Sequence, residues 1–287
     1  MKIAITGATG ELGRLVVQEL KKLHSEHEII ALVRNPEKAK ILFAEDTQVR
    51  KFDYDQPDDL ANSLQDVDKL LLISANEIGR RTPQHKAVID AAIQARVPHL
   101  IYTSLLNADH SPLGLANEHR ETEKLIRESS ITYTFLRNNW YSENYLSALT
   151  HQIETGMVYG AAQDGLISSA SRLDYATAAA QILNDESAQH LNKVYELAGS
   201  ESFSLNDFAT LLSEFSQQPV KYQNLSPEDY RQGLIQAGLP LGLIDVIVDA
   251  DLHTAHGAMY SERKDLEHLI GRKTTPIRES IQQALNA

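Results

Sequence analysis

The stretch KIAITGATGELG, residues 2–13, constrains the fold of this chain more than any other feature. It places Gly7, Gly10 and Gly13 three residues apart, directly after the apolar, β-branched run Ile3 to Thr6. Glycine loses more backbone freedom on folding than any other residue, so this spacing indicates a geometric demand. From Leu12 onward, leucine and valine recur at helical spacing. The glycines are therefore predicted to form the turn between a buried strand and a helix.

Such a turn presents backbone N–H groups and a helix N-terminus to an anion, and the usual anion is a pyrophosphate. A tight turn that binds nothing is the alternative. The glycine spacing alone does not distinguish an anion-binding turn from a turn that binds nothing, so evidence from other segments is needed.

Composition limits the classes of function. The 287 residues are 42% hydrophobic and can bury a large core, enough for one large domain or one and a half. A net charge of −12, without a block of basic residues, argues against nucleic-acid binding. No apolar run approaches the roughly 18 residues that span a bilayer, and the chain starts with a strand pattern. We therefore expect a soluble, cytoplasmic protein. Because there is no cysteine, disulfides and thiolate chemistry are excluded.

Strand-like apolar runs alternate with helical segments through the first half of the chain. After the first strand they are Glu28 to Val33, Val49 to Phe52, Lys69 to Ser74, His99 to Thr103 and Thr132 to Leu136. This alternation predicts a doubly wound parallel sheet of the Rossmann type. Before one of the helices, Thr82 followed by Pro83 predicts an N-cap and a proline at the first helical position.

Past Trp140 the pattern changes. It predicts a helix near Ser142 to Ile153, a glycine-rich passage from Gly156 to Gly165, an alanine-rich helix from about Asp174 to Leu183, and a strand from Val194 to Leu197. Helices then dominate, with starts at Ser204, Ser226 and Pro276. We predict an α/β fold: residues 1–136 plus about 168–192 form the cofactor-binding Rossmann domain. Residues of about 137–167 plus 193–287 form a smaller, mostly helical substrate domain.

The residue that ends the second strand indicates the cofactor. NAD-binding folds usually carry an acidic residue there to hold the ribose 2′-OH, whereas this chain has Arg34. A guanidinium pairs instead with a 2′-phosphate, and such contacts would favour NADP over NAD by roughly 10- to 150-fold. A solvated arginine at a loop tip is the alternative.

Three further strand ends carry candidate cofactor contacts. Asp53 follows the third strand and could accept from the adenine amino group, although a turn or cap role fits as well. Ser74, Ala75 and Asn76 end the fourth strand and are expected to flank the ribose and pyrophosphate. Thr103 ends the fifth strand, where the chain opens over the carboxyl edge of the sheet.

Motifs for other chemistry are missing. The sequence has no G-x-S-x-G, no H-E-x-x-H and no P-loop. His253 and His256 lie near two aspartates, but solvated positions fit them better than a metal site, and we expect no metal. His119 lies in a predicted helix, Leu115 to Glu128, that would present its first turns to the nicotinamide. A solvent-facing histidine is the alternative for this residue.

Taken together, several motifs resemble the NmrA-like branch of the atypical short-chain dehydrogenases. They are GATGELG, VRNP, LLLIS, YTSLLNADHSPLGLANEH and LRNNWYSENYL, and the resemblance runs nearly end to end. It implies an NADPH-dependent reductase that transfers hydride directly to a quinone. It also implies cofactor contacts at Gly7, Ala8, Thr9, Gly10, Glu11, Leu12, Arg34, Ser74, Asn76, Arg137, Asn138 and Asn139.

The chain departs from the wider short-chain dehydrogenase pattern at the Tyr-x-x-x-Lys motif. Leu115 stands at the tyrosine position and His119 at the lysine position. Reduction of an isolated carbonyl needs a proton on oxygen as the hydride arrives, so the missing tyrosine argues against an alcohol dehydrogenase. A quinone ring delocalises the charge, and positioning it can supply most of the catalysis.

The stretch Asn138 to Tyr145 offers amides and aromatic rings for a flat substrate. We expect Tyr141 or an amide such as Asn144 to hydrogen-bond a quinone oxygen, and His119 to orient ribose or substrate or to relay a proton. A packing role for the aromatic residues is the alternative. A non-catalytic NADP(H) redox sensor and a triphenylmethane-dye reductase are competing functions. The oligomeric state, including a homodimer, stays open.

Overall fold

The computed structural model describes residues 1–23, 26–43 and 47–286, and its central element is a seven-stranded parallel sheet. Its strands are β1 (Lys2–Thr6), β2 (Glu28–Val33), β3 (Thr47–Lys51), β4 (Lys69–Leu72), β5 (His99–Leu105), β6 (Thr132–Asn138) and β8 (Lys193–Leu197). They lie in the order β3-β2-β1-β4-β5-β6-β8. The order reverses between β1 and β4, and such a switch point is where open parallel sheets bind ligands, at the carboxyl ends of the strands.

Helices connect these strands and follow them. They are α1 (Glu11–Lys22), α2 (Pro36–Leu42), α3 (Leu60–Ser63), α4 (Arg81–Gln94), α5 (Ala116–Glu128), α6 (Glu143–Leu146), α7 (Leu149–Thr155), α8 (Arg172–Asn184), α9 (Leu205–Ser216), α10 (Pro227–Gln236), α11 (Leu241–Thr254), α12 (Asp265–Ile270) and α13 (Ile277–Leu285). Two strands, β7 (Met157–Gly160) and β9 (Lys221–Asn224), form a separate parallel pair.

The chain divides into two compact units. The first contains residues 1–108, 117–138 and 172–196, and the second contains residues 109–116, 139–171 and 197–287. In the first unit, side chains from α3 and α4 and from Ile126 of α5 form one apolar cluster with alternate residues of the sheet. The intervening residues, such as Ile3 and Ile5, are equally buried on the opposite face. The sheet is therefore covered on both faces, as a doubly wound fold requires.

The second unit has its own core. The rings of Tyr145, Phe203 and Phe208 pack against one another with centroids 5.6 to 6.2 Å apart. Ser204 caps α9 with a complete capping box, because its side chain accepts from the Asp207 N–H and Asp207 reaches back to its backbone. Within the described residues, no helix combines the length and apolarity needed to cross a membrane.

The predicted fold class is confirmed. The predicted strands lie within one or two residues of β2 to β6 and β8, and the alanine-rich helix is α8. The caps predicted at Ser204 and Ser226 are also confirmed. These segments have strong apolar patterns or cap residues, which are the sequence features that best predict secondary structure.

Two local predictions were wrong, and one pair of strands was not predicted. Helix α4 begins at Arg81, and Thr82 lies inside it, donating from Oγ1 to Glu121 Oε2 at 2.6 Å instead of capping the helix. The glycine-rich passage contains β7, and its partner β9 was also missed. Four-residue strands carry too little pattern to be recognised. The single helix predicted near Ser142 to Ile153 is two helices, α6 and α7.

Candidate functional site

The turn between β1 and α1 is shaped by its glycines. Gly7 has φ +58°, in the left-handed region, and its carbonyl accepts from the Gly10 N–H at 2.9 Å. A Cβ on Gly13 would lie 2.4 Å from the Gly7 oxygen, so only glycine fits where the helix crosses the turn. Gly10 is the N-cap residue and offers no side-chain cap to α1. This leaves the helix N-terminus to a ligand or to water.

The six predicted contact residues of this turn differ in what they expose. Gly7, Thr9, Gly10 and Glu11 are exposed, whereas Ala8 and Leu12 are buried. Ala8 and Leu12 can therefore offer a ligand only backbone atoms. The Glu11 carboxylate pairs with Arg14 at 2.9 Å, which orients its charge along the helix surface.

The segment 73–75, which leaves β4 beside this turn, is held by three side chains. Its successive backbone N–H groups donate to acceptors on three different elements, Thr6 Oγ1 at 3.0 Å, Thr103 Oγ1 at 2.9 Å and His85 Nε2 at 3.0 Å. Thr103 thus acts on the predicted cofactor residue Ser74, and its own contact with a cofactor stays a prediction. The predicted ribose-flanking segment is fixed in place before any ligand binds.

His85 is one residue of this site that sequence reasoning missed. It is fully buried on α4, and burial, together with the nearby Arg81, lowers its pKa to about 3. Because Nε2 accepts from Ala75, the ring proton lies on Nδ1, which contacts Thr122 Oγ1 at 2.9 Å. A histidine within a helix-forming run carries no sequence signal for this role.

Helix α5 holds the loop that follows. Glu118 accepts from the Gly79 N–H at 3.1 Å and from the Arg81 N–H at 3.0 Å. Arg81 also donates from Nε to the Ala75 carbonyl at 2.6 Å. Asn76, at the start of this loop, is exposed and therefore accessible to a ligand. Its contact with the cofactor stays a prediction.

Arg34 lies at the end of β2 with 72% of its side chain exposed. Its Nη1 is 3.6 Å from Glu77 Oε1, beyond hydrogen-bonding distance. Asp53, after β3, accepts from the Asp55 N–H at 3.2 Å and so stabilises its own turn. This observation favours the turn role that the sequence left open for Asp53.

His119 is buried, with 6% of its surface exposed, so the solvent-facing alternative for this residue was wrong. Its Nδ1 lies 2.8 Å from the hydroxyl of Tyr102, a buried residue of β5. Burial, and then the charge of Arg81, lower the pKa of His119 to about 3. Burial also raises the pKa of Tyr102. Both groups are therefore neutral at physiological pH.

Arg137 is enclosed by carboxylates. Its Nε and Nη2 donate to the two oxygens of Glu123 at 2.8 and 2.6 Å, and its Nη1 donates to Glu196 at 2.8 Å. Burial opposes the charge, but the hydrogen bonds to the two glutamates outweigh it and raise the pKa of Arg137. This bidentate pair supports a structural role, and the predicted cofactor contact stays a prediction. The neighbouring Asn138 has a buried Oδ1 without a partner among the described residues.

The substrate-side candidates lie in the second unit. The Asn139 side chain donates to the carbonyls of Ser168 and Met259, both at 2.9 Å, which ties three segments together. Tyr141 is half-buried and Asn144 is exposed, so both have accessible surface. Tyr145 packs in the aromatic core of this unit, which agrees with the packing alternative.

An acidic residue of the second unit was also missed. Asp251 of α11 accepts from the Ala161 N–H at 2.8 Å. Burial raises the pKa of Asp251 to about 6, and the hydrogen bond from Ala161 only partly offsets it. This carboxyl group therefore exchanges its proton close to neutral pH.

Comparison with known proteins gives consistent matches over the whole chain. A model of the NmrA-like family matches residues 1–279. Quinone oxidoreductase 2 of Escherichia coli (strain K12) is 49% identical over 284 residues, which cover 99% of each chain.

Two solved structures extend these matches. The NADPH-dependent quinone oxidoreductase QOR2 of Escherichia coli, complexed with NADPH, has a TM-score of 0.95 and 48% identity, covering 99% of this chain and 100% of that one. The Citrobacter sp. triphenylmethane reductase complexed with NADP(H) has a TM-score of 0.93 and 37% identity, covering 98% and 99%.

Proposed function

The chain belongs to the NmrA-like family, and from that premise we propose that it is an NADPH-dependent reductase that transfers hydride directly to a quinone. The family membership predicted from the motifs is confirmed. The observation that carries the proposal is the similarity to the Escherichia coli quinone oxidoreductase, which spans nearly the full length of both chains.

The residues present fit NADPH. The turn that only glycine can form leaves the N-terminus of α1 uncapped by side chains, which suits a pyrophosphate. Arg34 is exposed at the end of β2 and suits a 2′-phosphate. Ser74 Oγ and Asn138 Oδ1 offer further polar atoms, since both are buried and have no hydrogen-bond partner among the described residues. When bound, NADPH supplies the hydride, and the chain supplies binding and orientation.

His119 acts in this proposal as a neutral hydrogen-bonding group. With a pKa of about 3, it carries no proton to donate as an imidazolium at neutral pH. Its contact with Tyr102 fixes the ring, so that it can orient ribose or substrate. Solvent then supplies the one proton that converts the hydroquinone anion to the hydroquinone, because the reduced ring delocalises its charge until that proton arrives.

We propose Tyr141 and Asn144 as the contacts to the quinone oxygens, since both side chains are accessible. Replacing Tyr141 by Phe and Asn144 by Ala is expected to raise the KM for the quinone and to leave the KM for NADPH unchanged. Unchanged quinone kinetics in both variants would remove these two residues from the mechanism.

The proposal is tested by following the absorbance of NADPH with the purified protein and 1,4-benzoquinone, without added flavin. NADH and a triphenylmethane dye serve as the parallel cofactor and acceptor. Rapid oxidation of NADPH by the quinone, faster than that of NADH, is expected. Tight NADPH binding without turnover of quinone or dye would contradict the reductase and support the redox sensor.

A further inference from the structure

Arg34, the residue predicted to bind the 2′-phosphate, belongs to a cluster of four charged side chains. Glu77 is shared between two arginines: Arg80 Nη1 donates to its Oε2 at 2.8 Å, whereas Arg34 Nη1 lies 3.6 Å from its Oε1. Arg80 Nη2 also donates to Asp55 Oδ1 at 2.8 Å. The four residues follow β2, β3 and β4, so they lie at the carboxyl edge of the sheet. We refer to Arg34, Asp55, Glu77 and Arg80 as the edge cluster.

The edge cluster has no net charge, because two guanidinium groups face two carboxylates. A 2′-phosphate brings a charge of about −1.5 to −2 to this edge. It attracts Arg34 and repels Glu77. Since Glu77 is 34% exposed and Arg34 is 72% exposed, their contact is an accessible surface pair, which a stronger anion can displace.

We propose that Glu77 competes with the 2′-phosphate of NADPH for Arg34 and thereby lowers the affinity for NADPH relative to NADH. The inference rests on the proposed function and adds a specificity-determining residue to it. NADH carries an uncharged hydroxyl at the same position, so Glu77 does not repel that end of NADH. The carboxylate narrows the preference for NADPH that Arg34 creates.

Arg80 is a positioning residue in this arrangement. Its hydrogen bonds to Glu77 Oε2 and to Asp55 Oδ1 tether the Glu77 carboxylate, so that only Oε1 faces Arg34, at 3.6 Å. The 2.8 Å contact with Arg80 is a direct hydrogen bond, whereas the 3.6 Å contact with Arg34 is not. Arg34 is therefore held loosely and is released to the phosphate at little cost.

The test measures the Kd values of NADPH and NADH by calorimetry for the wild-type protein and for Glu77→Gln. The variant is expected to bind NADPH about three- to tenfold more tightly and NADH with less than about twofold change. The matched control is Glu128→Gln, which removes an exposed charge paired with Lys124 at the last residue of α5. This control is expected to leave both Kd values unchanged.

The role of Arg80 is tested with Arg80→Gln. Alone, this change frees Glu77 to pair with Arg34 and is expected to weaken NADPH binding about two- to fivefold. Combined with Glu77→Gln, it is expected to have almost no effect, because the residue that it positions is absent. An equal loss in both backgrounds would mean that Arg80 contacts the phosphate itself and would overturn its positioning role.

NADPH binding by the wild-type protein distinguishes a failure of this inference from a failure of the proposed function. If the wild-type protein binds no NADPH, the proposed function is contradicted. If the wild-type protein binds NADPH but Glu77→Gln leaves its Kd unchanged, weakens it or tightens NADPH and NADH equally, only the competition by Glu77 is overturned. Circular dichroism of each variant verifies that the fold is retained.

Discussion

Single residues at the carboxyl edge of the sheet act mainly by fixing backbone. Gly13 does so by the absence of a side chain, since a Cβ there would meet the Gly7 oxygen. His85 does so by accepting the Ala75 N–H with a neutral ring. Ligand binding can depend on both residues without direct contact, because they fix the backbone at this edge.

Replacing Gly13 by Ala is expected to destabilise the protein by about 1–3 kcal/mol, because the turn has to shift to admit the methyl group. It should weaken NADPH binding as well. Urea denaturation and calorimetry measure the two effects. The matched control is Gly233→Ala, at a helical position of α10 without neighbours within 4 Å, which should stabilise by about 0.5–1 kcal/mol. Equal effects of both variants would contradict the crowding argument.

Because two histidines are buried, we expect the protein to lose stability at acid pH. His85 and His119 bind a proton at about pH 3 in the folded protein, against 6.5 for the ordinary group. The unfolded chain therefore binds more protons, and stability is lost as the pH falls below about 6.5, by up to about 1.4 kcal/mol per pH unit for each histidine. Urea midpoints at about pH 7 and pH 5 measure this loss.

A variant separates this effect from general acid unfolding. Replacing His119 by Asn should reduce the dependence of the urea midpoint on pH. Replacing His151 by Asn, at an exposed position of α7, should not change it. If both variants keep the wild-type dependence, protonation of His119 does not limit acid stability.

Among the elements, α5 organises the carboxyl edge of the sheet. Its Glu118 holds the loop before α4, and its Glu123 pairs with Arg137 of β6 and accepts from Ser104 of β5 at 2.6 Å. Arg127 of the same helix lies over the ring of Phe135, 4.8 Å from its centroid. One helix thus fixes two strands and a loop through charged side chains.

Replacing Arg137 by Met is expected to destabilise the protein by up to about 3–5 kcal/mol, because the buried Glu123 carboxylate loses its bidentate partner and keeps, among the described residues, only Ser104 and Arg127. Urea denaturation measures the loss. For the population that remains folded, we expect the Kd of NADPH to change by less than about twofold. A large loss of NADPH affinity in that population would instead make Arg137 a cofactor contact. The control replaces Lys124 by Met, at an exposed position of α5.

In the second unit, α11 carries a group with the opposite dependence on pH. The folded pKa of Asp251, about 6, exceeds its ordinary value of 3.8, so the folded protein binds the extra proton and loses stability as the pH rises between these values. Replacing Asp251 by Asn should therefore stabilise the protein by about 1–3 kcal/mol at pH 8 and have little effect near pH 4. Urea denaturation at the two pH values measures the difference. A variant that is less stable at pH 8 would show that the charged carboxylate stabilises the fold.

At the scale of the whole molecule, sequence reasoning predicted what depends on repeated local signals. The sheet, the glycine turn and the placement of Arg34 follow from apolar periodicity and residue type. The contacts that His85, Tyr102 and Glu77 make could not be predicted, because each joins different elements of the fold. The pair β7 and β9 was missed because each strand has only four residues, too few to show an apolar pattern.

We propose that hydride passes from NADPH directly to a quinone on this chain. The most direct test is a single turnover under anaerobic conditions without flavin, with NADPH carrying deuterium at the transferred position of the nicotinamide. We expect one hydroquinone for each NADPH oxidised, and a slower step with deuterium than with hydrogen. Semiquinone formation, or turnover that requires added flavin, would contradict direct hydride transfer.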